Sequence, residues 1–235
     1  MTAESEKKTP TNVTVWNENI HEREDEAIAA RYPNGIHGAI ASIFESNDYE
    51  VETTTLQREE QGVPQSLLDR TDVLIWWEHV AHDEITDETV RRIKERVHDG
   101  MGIIFLHSAK DSPVFSSLLG ATGHSKWENN GSREYLWAVN PSHPIAQGLD
   151  ECTKIPNAAT YGEPFDIPKP DSQVFTSWFE GGDVFRSGVC FQRGMGKIFY
   201  FRPGDEEYPI YHHDGVRQIL RNAVDWAASK NQSSP

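Results

Sequence analysis

Glu78-His79-Val80-Ala81-His82 sets a carboxylate and two imidazoles directly behind the apolar run Val73-Leu74-Ile75-Trp76-Trp77. Imidazoles at this spacing on a turn can be aimed at one point, as a divalent ion requires. The same rings can instead hydrogen-bond a loop or a sugar hydroxyl. The pattern is not HExxH, so it does not predict a metalloprotease. A second apolar run, Gly102-Ile103-Ile104-Phe105-Leu106, ends on His107-Ser108, and a third, Val13-Thr14-Val15-Trp16, ends on Asn17-Glu18-Asn19-Ile20-His21. Ligands of open α/β sheets bind outside the carboxyl ends of the strands, so three such ends predict one site. The expected metal ligands are His79, His82, His107 and His21. Zinc is the first choice of ion, with manganese or iron as alternatives. Such an ion would polarise a sugar carbonyl or hydroxyl, or make hydroxide from water.

Glu18 and Glu163 are the candidate acid and base, with His107 beside them, although strand-end carboxylates also serve as caps and arginine partners. His37 follows Gly35 at a helix start and either faces the crevice or is satisfied locally. Trp16 and Trp77 adjoin the site and read either as sugar platforms or as core.

The elements that position these groups alternate. Val13–Trp16, Tyr49–Leu56, Val73–Trp77 and Gly102–Leu106 read as strands. Ile36, Ile40, Ile43 and Phe44 follow helical spacing, and Asp83–His98 reads as a helix closed by Asp99-Gly100. The second half is richer in strands, over Arg133–Val139, Gln173–Phe179, Val184–Phe191 and Lys197–Phe201. Gly181-Gly182-Asp183 and Gly194-Met195-Gly196 are the expected turns. From Tyr211 a last helix shows the apolar stripe Val216, Ile219, Leu220, Ala223, Val224 and Ala227. The pattern predicts a mostly parallel α/β sheet with helices on both faces and an antiparallel extension. Residues 1–12 read as a disordered arm, 13–228 as one domain and 229–235 as a tail.

The 235 residues carry a net charge of −15 and a pI near 5.0. Such a surface repels phosphate backbones and anionic membranes, so neither is an expected partner. Two distant cysteines make no disulfide framework. With no signal peptide and no apolar run near membrane-spanning length, a cytoplasmic protein is expected. A hairpin exposed in the second half would allow a homo-oligomer.

Several longer motifs match one family. They are Trp16-Asn17-Glu18, Tyr32-Pro33-Asn34-Gly35-Ile36-His37, Trp76-Trp77-Glu78-His79-Val80-Ala81-His82, Tyr161-Gly162-Glu163-Pro164-Phe165-Asp166-Ile167-Pro168, Gly181-Gly182-Asp183-Val184-Phe185-Arg186-Ser187-Gly188, and Phe199-Tyr200-Phe201-Arg202-Pro203-Gly204 with Tyr208-Pro209. Together they resemble ThuA-like proteins, named for trehalose utilisation, from about Val13 to Ala228. The resemblance implies a class I glutamine amidotransferase-like, flavodoxin-like doubly wound fold. It also implies a place in the catabolism of trehalose-like or 3-keto disaccharides. The implied activity is that of a metal-assisted isomerase, epimerase or hydrolase on a small sugar. Asn17, Tyr161 and His212 join the expected substrate contacts. The chain departs from the family pattern at Asp205, where Pro-Gly-His is expected, and at Ala109-Lys110, where a further histidine is expected. These departures motivate the alternative of a non-catalytic sugar-binding or regulatory protein. An amidotransferase needs a cysteine nucleophile on the turn after a central strand. Here that turn carries His107, so glutamine hydrolysis is not expected.

Overall fold

Apolar runs without alternation become the central strands. The structure, a computed structural model, describes residues 9–228. Strands β3 (Val73–Trp77) and β4 (Gly102–Leu106) are buried at every residue, as parallel strands covered on both faces must be. β1 (Thr11–Asn17) lies beside β3, and β2 (Tyr49–Thr55), exposed along much of its length, forms an edge. The second half adds β5 (Lys126–Ala138), β6 (Cys152–Gly162), β7 (Ser172–Phe179), β8 (Val184–Arg193) and β9 (Gly196–Phe201). All belong to one sheet, ordered β2-β1-β3-β4-β9-β8-β7-β5-β6. Pairing is parallel from β2 through β9 and antiparallel from β9 to β6. The protein is therefore an α/β protein with a mixed sheet, parallel first and antiparallel after.

Seven helices accompany the sheet among the described residues: α1 (His21–Glu24), α2 (Glu26–Arg31), α3 (Gly35–Ala41), α4 (Gln65–Leu68), α5 (Asp87–His98), α6 (Pro113–Leu119) and α7 (Asp214–Ala228). α3 packs on β1 and β2, and α7 packs on β4 and β9. The six residues of the predicted C-terminal stripe are the ones that α7 buries. No helix among the described residues is long and apolar enough to cross a membrane. Cys152 and Cys190 are both free thiols.

Several boundaries differ from those expected, among them β5, which begins at Lys126 rather than Arg133, and α7, which begins at Asp214 rather than Tyr211. β1 begins at Thr11, inside the expected arm; residues 1–8 and the expected tail 229–235 lie outside the described residues. α5 starts at Asp87 rather than Asp83 because Thr86 is held in an extended conformation. Gln61 Oε1 accepts from the Thr86 amide at 3.0 Å and its hydroxyl at 3.1 Å, while Thr86 Oγ1 caps the Thr89 amide. β6 has no counterpart in the sequence reading. Pro156 and Asn157 interrupt its pattern, yet it lies at a sheet edge, where proline is tolerated. Two register shifts against β5 absorb the irregularity.

Candidate functional site

The carboxyl ends of β1, β3, β4 and β9 converge. Glu18, fully buried just beyond β1, accepts from the amides of His79 at 2.9 Å, Val80 at 3.0 Å and Ala81 at 3.0 Å. Its oxygens are therefore engaged in shaping the turn after β3. A carboxylate suits this task, because it accepts several N–H bonds at once. That turn carries His79 toward the loop after β9, where Asp205 and Glu206 lie buried. The close approach of this loop needs Gly204. A Cβ there would stand 3.0 Å from the His107 Cβ and 2.3 Å from the Tyr211 hydroxyl. Tryptophan 77 fixes the same residue by donating its indole N–H to the Gly204 carbonyl at 3.0 Å.

His107 occupies the tight turn after β4 with φ of 53°, a left-handed conformation uncommon for a non-glycine residue. A tight 3-10 turn over His107–Asp111 follows at once, so the strained residue presents its imidazole at the strand end. Its ring lies 5.1 Å from that of His79, which lies 5.0 Å from that of His21. Glu206 joins them: His79 Nδ1 is 3.0 Å from Oε2, and His21 Nε2 is 3.6 Å from Oε1. His107 Nε2 stands 3.9 Å from Asp205 Oδ2. Two triads result, His21–His79–Glu206 and His107–Asp205–Glu206, each with its donor atoms within 4.8 Å of one another. The buried atoms His21 Nε2, His79 Nδ1, His107 Nδ1 and Glu206 Oε2 complete no hydrogen bond within the protein. Buried polar atoms ordinarily find partners. His79 Nδ1 and Glu206 Oε2 meet as an ion pair rather than an aligned hydrogen bond, and two imidazoles gathered on one carboxylate within 4.8 Å fit a borderline divalent cation such as zinc.

The electrostatics separate the two acids. Burial opposes the charge of Glu206, but the His79 contact, with His107 behind it, outweighs burial and holds the carboxyl down at about 2. Burial and the neighbouring Glu206 push Asp205 up to about 6. Burial also works against protonated His79, but Glu206 overcomes it and raises that imidazole. Buried His107, repelled by His79, is lowered well below the usual histidine range and stays neutral.

Other predicted residues surround the cluster without joining either triad. His82 Nδ1 donates to Glu78 Oε1 at 2.7 Å, while Glu78 Oε2 accepts from the Trp76 indole at 2.5 Å. Burial disfavours charge on His82, yet Glu78 outweighs it and raises the imidazole. With the folded value above the unfolded one, this pair stabilises fully below about 6.5 and fades as pH rises through the raised value. Its contribution is about 1 kcal/mol or less. Urea unfolding between pH 5 and 8 is expected to show His82→Ala losing that slope; identical slopes would remove the pair from the stability account.

Asn17 donates to Glu22 at 2.6 Å and to His37 Nδ1 at 3.2 Å, so His37 buttresses α1 rather than reaching the triads. Glu163 is held by Arg186 at 2.8 and 2.9 Å and by the amides of Phe165 and Arg186. Although burial opposes the charge, these contacts keep its carboxyl below the usual range. This geometry makes Glu163 a loop anchor. Trp16 is buried face to face on Trp76 at 3.7 Å, and Trp77 is buried too. Neither offers a ring face to a sugar, because both side chains are fully buried. His212 stacks on Tyr32 at 5.4 Å, away from the triads. Tyr161 lies 5.7 Å from the His107 ring, its hydroxyl 3.2 Å from Ser108 Oγ. Glu206, shared by both triads, is the residue that sequence reasoning missed. Its signal was the acidic run Asp205-Glu206-Glu207 directly after a strand, which reads as solvated.

The family model for ThuA, trehalose utilisation, matches residues 12–227. The chain belongs to the ThuA family. No curated protein matches it. Among solved structures, it is similar to a putative ThuA-like protein from Parabacteroides merdae, at 17% identity over 97% of this chain and 94% of that one, with a TM-score of 0.68. A putative ThuA-like protein from Bacteroides uniformis gives 16% identity, coverage of 99% and 97%, and a TM-score of 0.64. A beta-galactosidase from Rahnella sp. R3 gives 10% identity over 91% of this chain but 32% of that one, with a TM-score of 0.57. At such identities the likeness is one of fold.

Within this ThuA family member, the two departures from the expected pattern have different fates. Asp205 faces His107 inside the cluster. Lys110 is buried and points elsewhere, its ammonium bound by Asp111 at 2.7 and 2.8 Å and lying 5.6 Å from the Tyr161 ring centroid.

Proposed function

We propose that the protein is a metal-assisted enzyme of disaccharide catabolism, an isomerase, epimerase or hydrolase acting on trehalose-like or 3-keto disaccharides in the cytoplasm. The observation that carries the reading is the gathering of His21, His79 and Glu206, whose ligand atoms lie within 4.8 Å of one another at the strand ends. The parallel strand order β2-β1-β3-β4-β9 supports a flavodoxin-like reading of this half, in which a site beside the ends of β1 and β3 lies at the reversal of strand order. Membership of a family named for trehalose utilisation supplies the substrate class.

In this reading His21, His79 and Glu206 hold the ion. A bound divalent cation would polarise a sugar carbonyl or hydroxyl. His107, neutral and within reach of Asp205, relays a proton between the substrate and that carboxyl. Glu18 acts at one remove, by fixing the turn that aims His79. Treatment with a chelator is expected to abolish turnover of 3-keto-trehalose, and added zinc to restore it. Undiminished turnover in metal-free protein would sink the metal mechanism. Asp205, standing where the family pattern has histidine, favours a second reading, a sugar-binding protein without turnover. Calorimetric binding of trehalose with no product after prolonged incubation would select that reading.

A further inference from the structure

The polar segment that opens β5 contains one large exposed aromatic residue, Trp127, at 63% exposure. Its neighbours show which way it faces. Thr160 Oγ1 donates to Asn130 Oδ1 at 2.9 Å, which puts Asn130 on one side of the strand. The Tyr208 hydroxyl donates to Asn129 Oδ1 at 2.8 Å, and a Cβ on Gly131 would stand 3.3 Å from that same hydroxyl. Glu128, the cross-strand partner of Thr160, shares the side of Asn130, so Trp127 next to it lies on the other side, the one on which Asn129 and Gly131 meet Tyr208. That face looks toward the loop carrying Asp205 and Glu206, of which Tyr208 is part.

Pairing between strands gives the same answer independently. Trp127 is the cross-strand partner of Tyr161, and directly opposed residues project to the same side. Tyr161 in turn packs against His107 and Ser108. Trp127 is thus one cross-strand neighbour away from a ring that touches the candidate centre. Farther along, the register shifts between Glu128 and Glu134 reset the alternation. Glu134 then faces Arg202 inside, while Tyr135 and the exposed Trp178 stack on the outer side. Trp178 therefore lies on the face opposite Trp127, as does the third exposed tryptophan, Trp137, two residues beyond Tyr135 on β5; among the described residues Trp127 is the exposed tryptophan on the side of the site.

We infer that Trp127 is the platform on which the non-reacting hexopyranosyl ring of a disaccharide stacks. The inference rests on the sugar reading of the site given above. A pyranose presents an apolar C–H face, and an indole held at the rim of a polar site is the matching surface. With the reacting ring at the His107–Glu206 centre, the second ring extends past Tyr161 onto Trp127. Asn129, on the same face, borders it. The platform explains how a centre whose groups are almost wholly buried would select a disaccharide by its remote half.

Calorimetry with trehalose as the probe, on the full chain loaded with zinc, tests this. Trp127→Ala is expected to weaken trehalose binding about tenfold, and Trp127→Phe to retain most of it. Trp178→Ala, on the opposite face, leaves binding unchanged. Zinc affinity is expected to be equal in wild type and Trp127→Ala, which shows that the variant is folded. Equal trehalose affinity in Trp127→Ala and wild type would overturn the platform. Wild type that takes up zinc but no trehalose overturns it too, while leaving the metal centre standing. Trehalose binding that depends on Trp127 in a protein without zinc affinity supports the platform and removes the metal reading instead.

Discussion

Glu206→Ala is expected to weaken zinc binding by at least about a hundredfold, the upper range measured even for groups that merely support a ligand. Glu206 is the common member of both triads and, among the described residues, the carboxylate that pairs with both His21 and His79. Its removal leaves those imidazoles without the charge that offsets a dication in a buried setting. Glu206→Gln keeps the size and one acceptor oxygen but loses the charge, so it falls between the wild type and the alanine variant. His82→Ala is the control, because His82 is turned to Glu78. Competition with a zinc-sensitive dye reads all three. Equal affinity in Glu206→Ala and wild type would remove the proposed centre, whatever the effect on turnover.

The second large effect concerns stability. Arg202 and Glu134 are both fully buried and joined by an ion pair. Arg202 Nη1 also donates to the Ala159 carbonyl at 3.1 Å, and its guanidinium lies between the rings of Tyr161 and Phe179. Glu134 accepts in addition from Ser177, which contacts Ser187. This network ties together β5, β6, β7, β8 and the end of β9. Arg202→Ala strands a carboxylate in the interior and is expected to cost about 3–5 kcal/mol. That is a large part of the roughly 5–15 kcal/mol that keeps a domain folded. Arg202→Lys recovers little, since an ammonium cannot reproduce a planar fork between two rings. The double variant Arg202→Met with Glu134→Leu recovers most of the loss, because no uncompensated charge remains. Urea unfolding measures each. A cost for Arg202→Ala under about 1 kcal/mol would mean that water reaches Glu134 after all.

The parallel half of the fold was legible because its strands are unbroken apolar runs. Such runs must be covered on both faces, and their ends must then carry whatever polar groups follow. That logic found His21, His79 and His107. It failed for Trp16 and Trp77, since the burial that makes a strand central also hides its tryptophans. The useful sign was the reverse, a lone tryptophan among Lys126, Glu128, Asn129 and Asn130. Glu206 escaped because acidic runs usually meet water, and only the tertiary approach of β9 to β3 and β4 buries this one. Glu18 was correctly placed at the end of β1, whereas Glu163, expected in a turn, follows the unexpected strand β6. Their partners, backbone amides and Arg186, come from distant segments that no local pattern announces.

The position of β9 carries a consequence for the order in which the protein can be built. β9 lies between β4 and β8 in the sheet, although β5 to β8 all precede it in the chain. During translation, β4 has one neighbour until Gly196–Phe201 leaves the ribosome, and Asp205 and Glu206 emerge later still. The nascent chain must therefore hold an apolar, unpaired edge while the 89 residues between Leu106 and Gly196 are made, the kind of intermediate that aggregates. A divalent ion held as proposed could not template early folding, because Glu206, the carboxylate shared by both triads, is made after every strand of the sheet. A premature stop after β8 then leaves no partially active fragment, since the missing strand comes from the middle of the sheet and not from its rim.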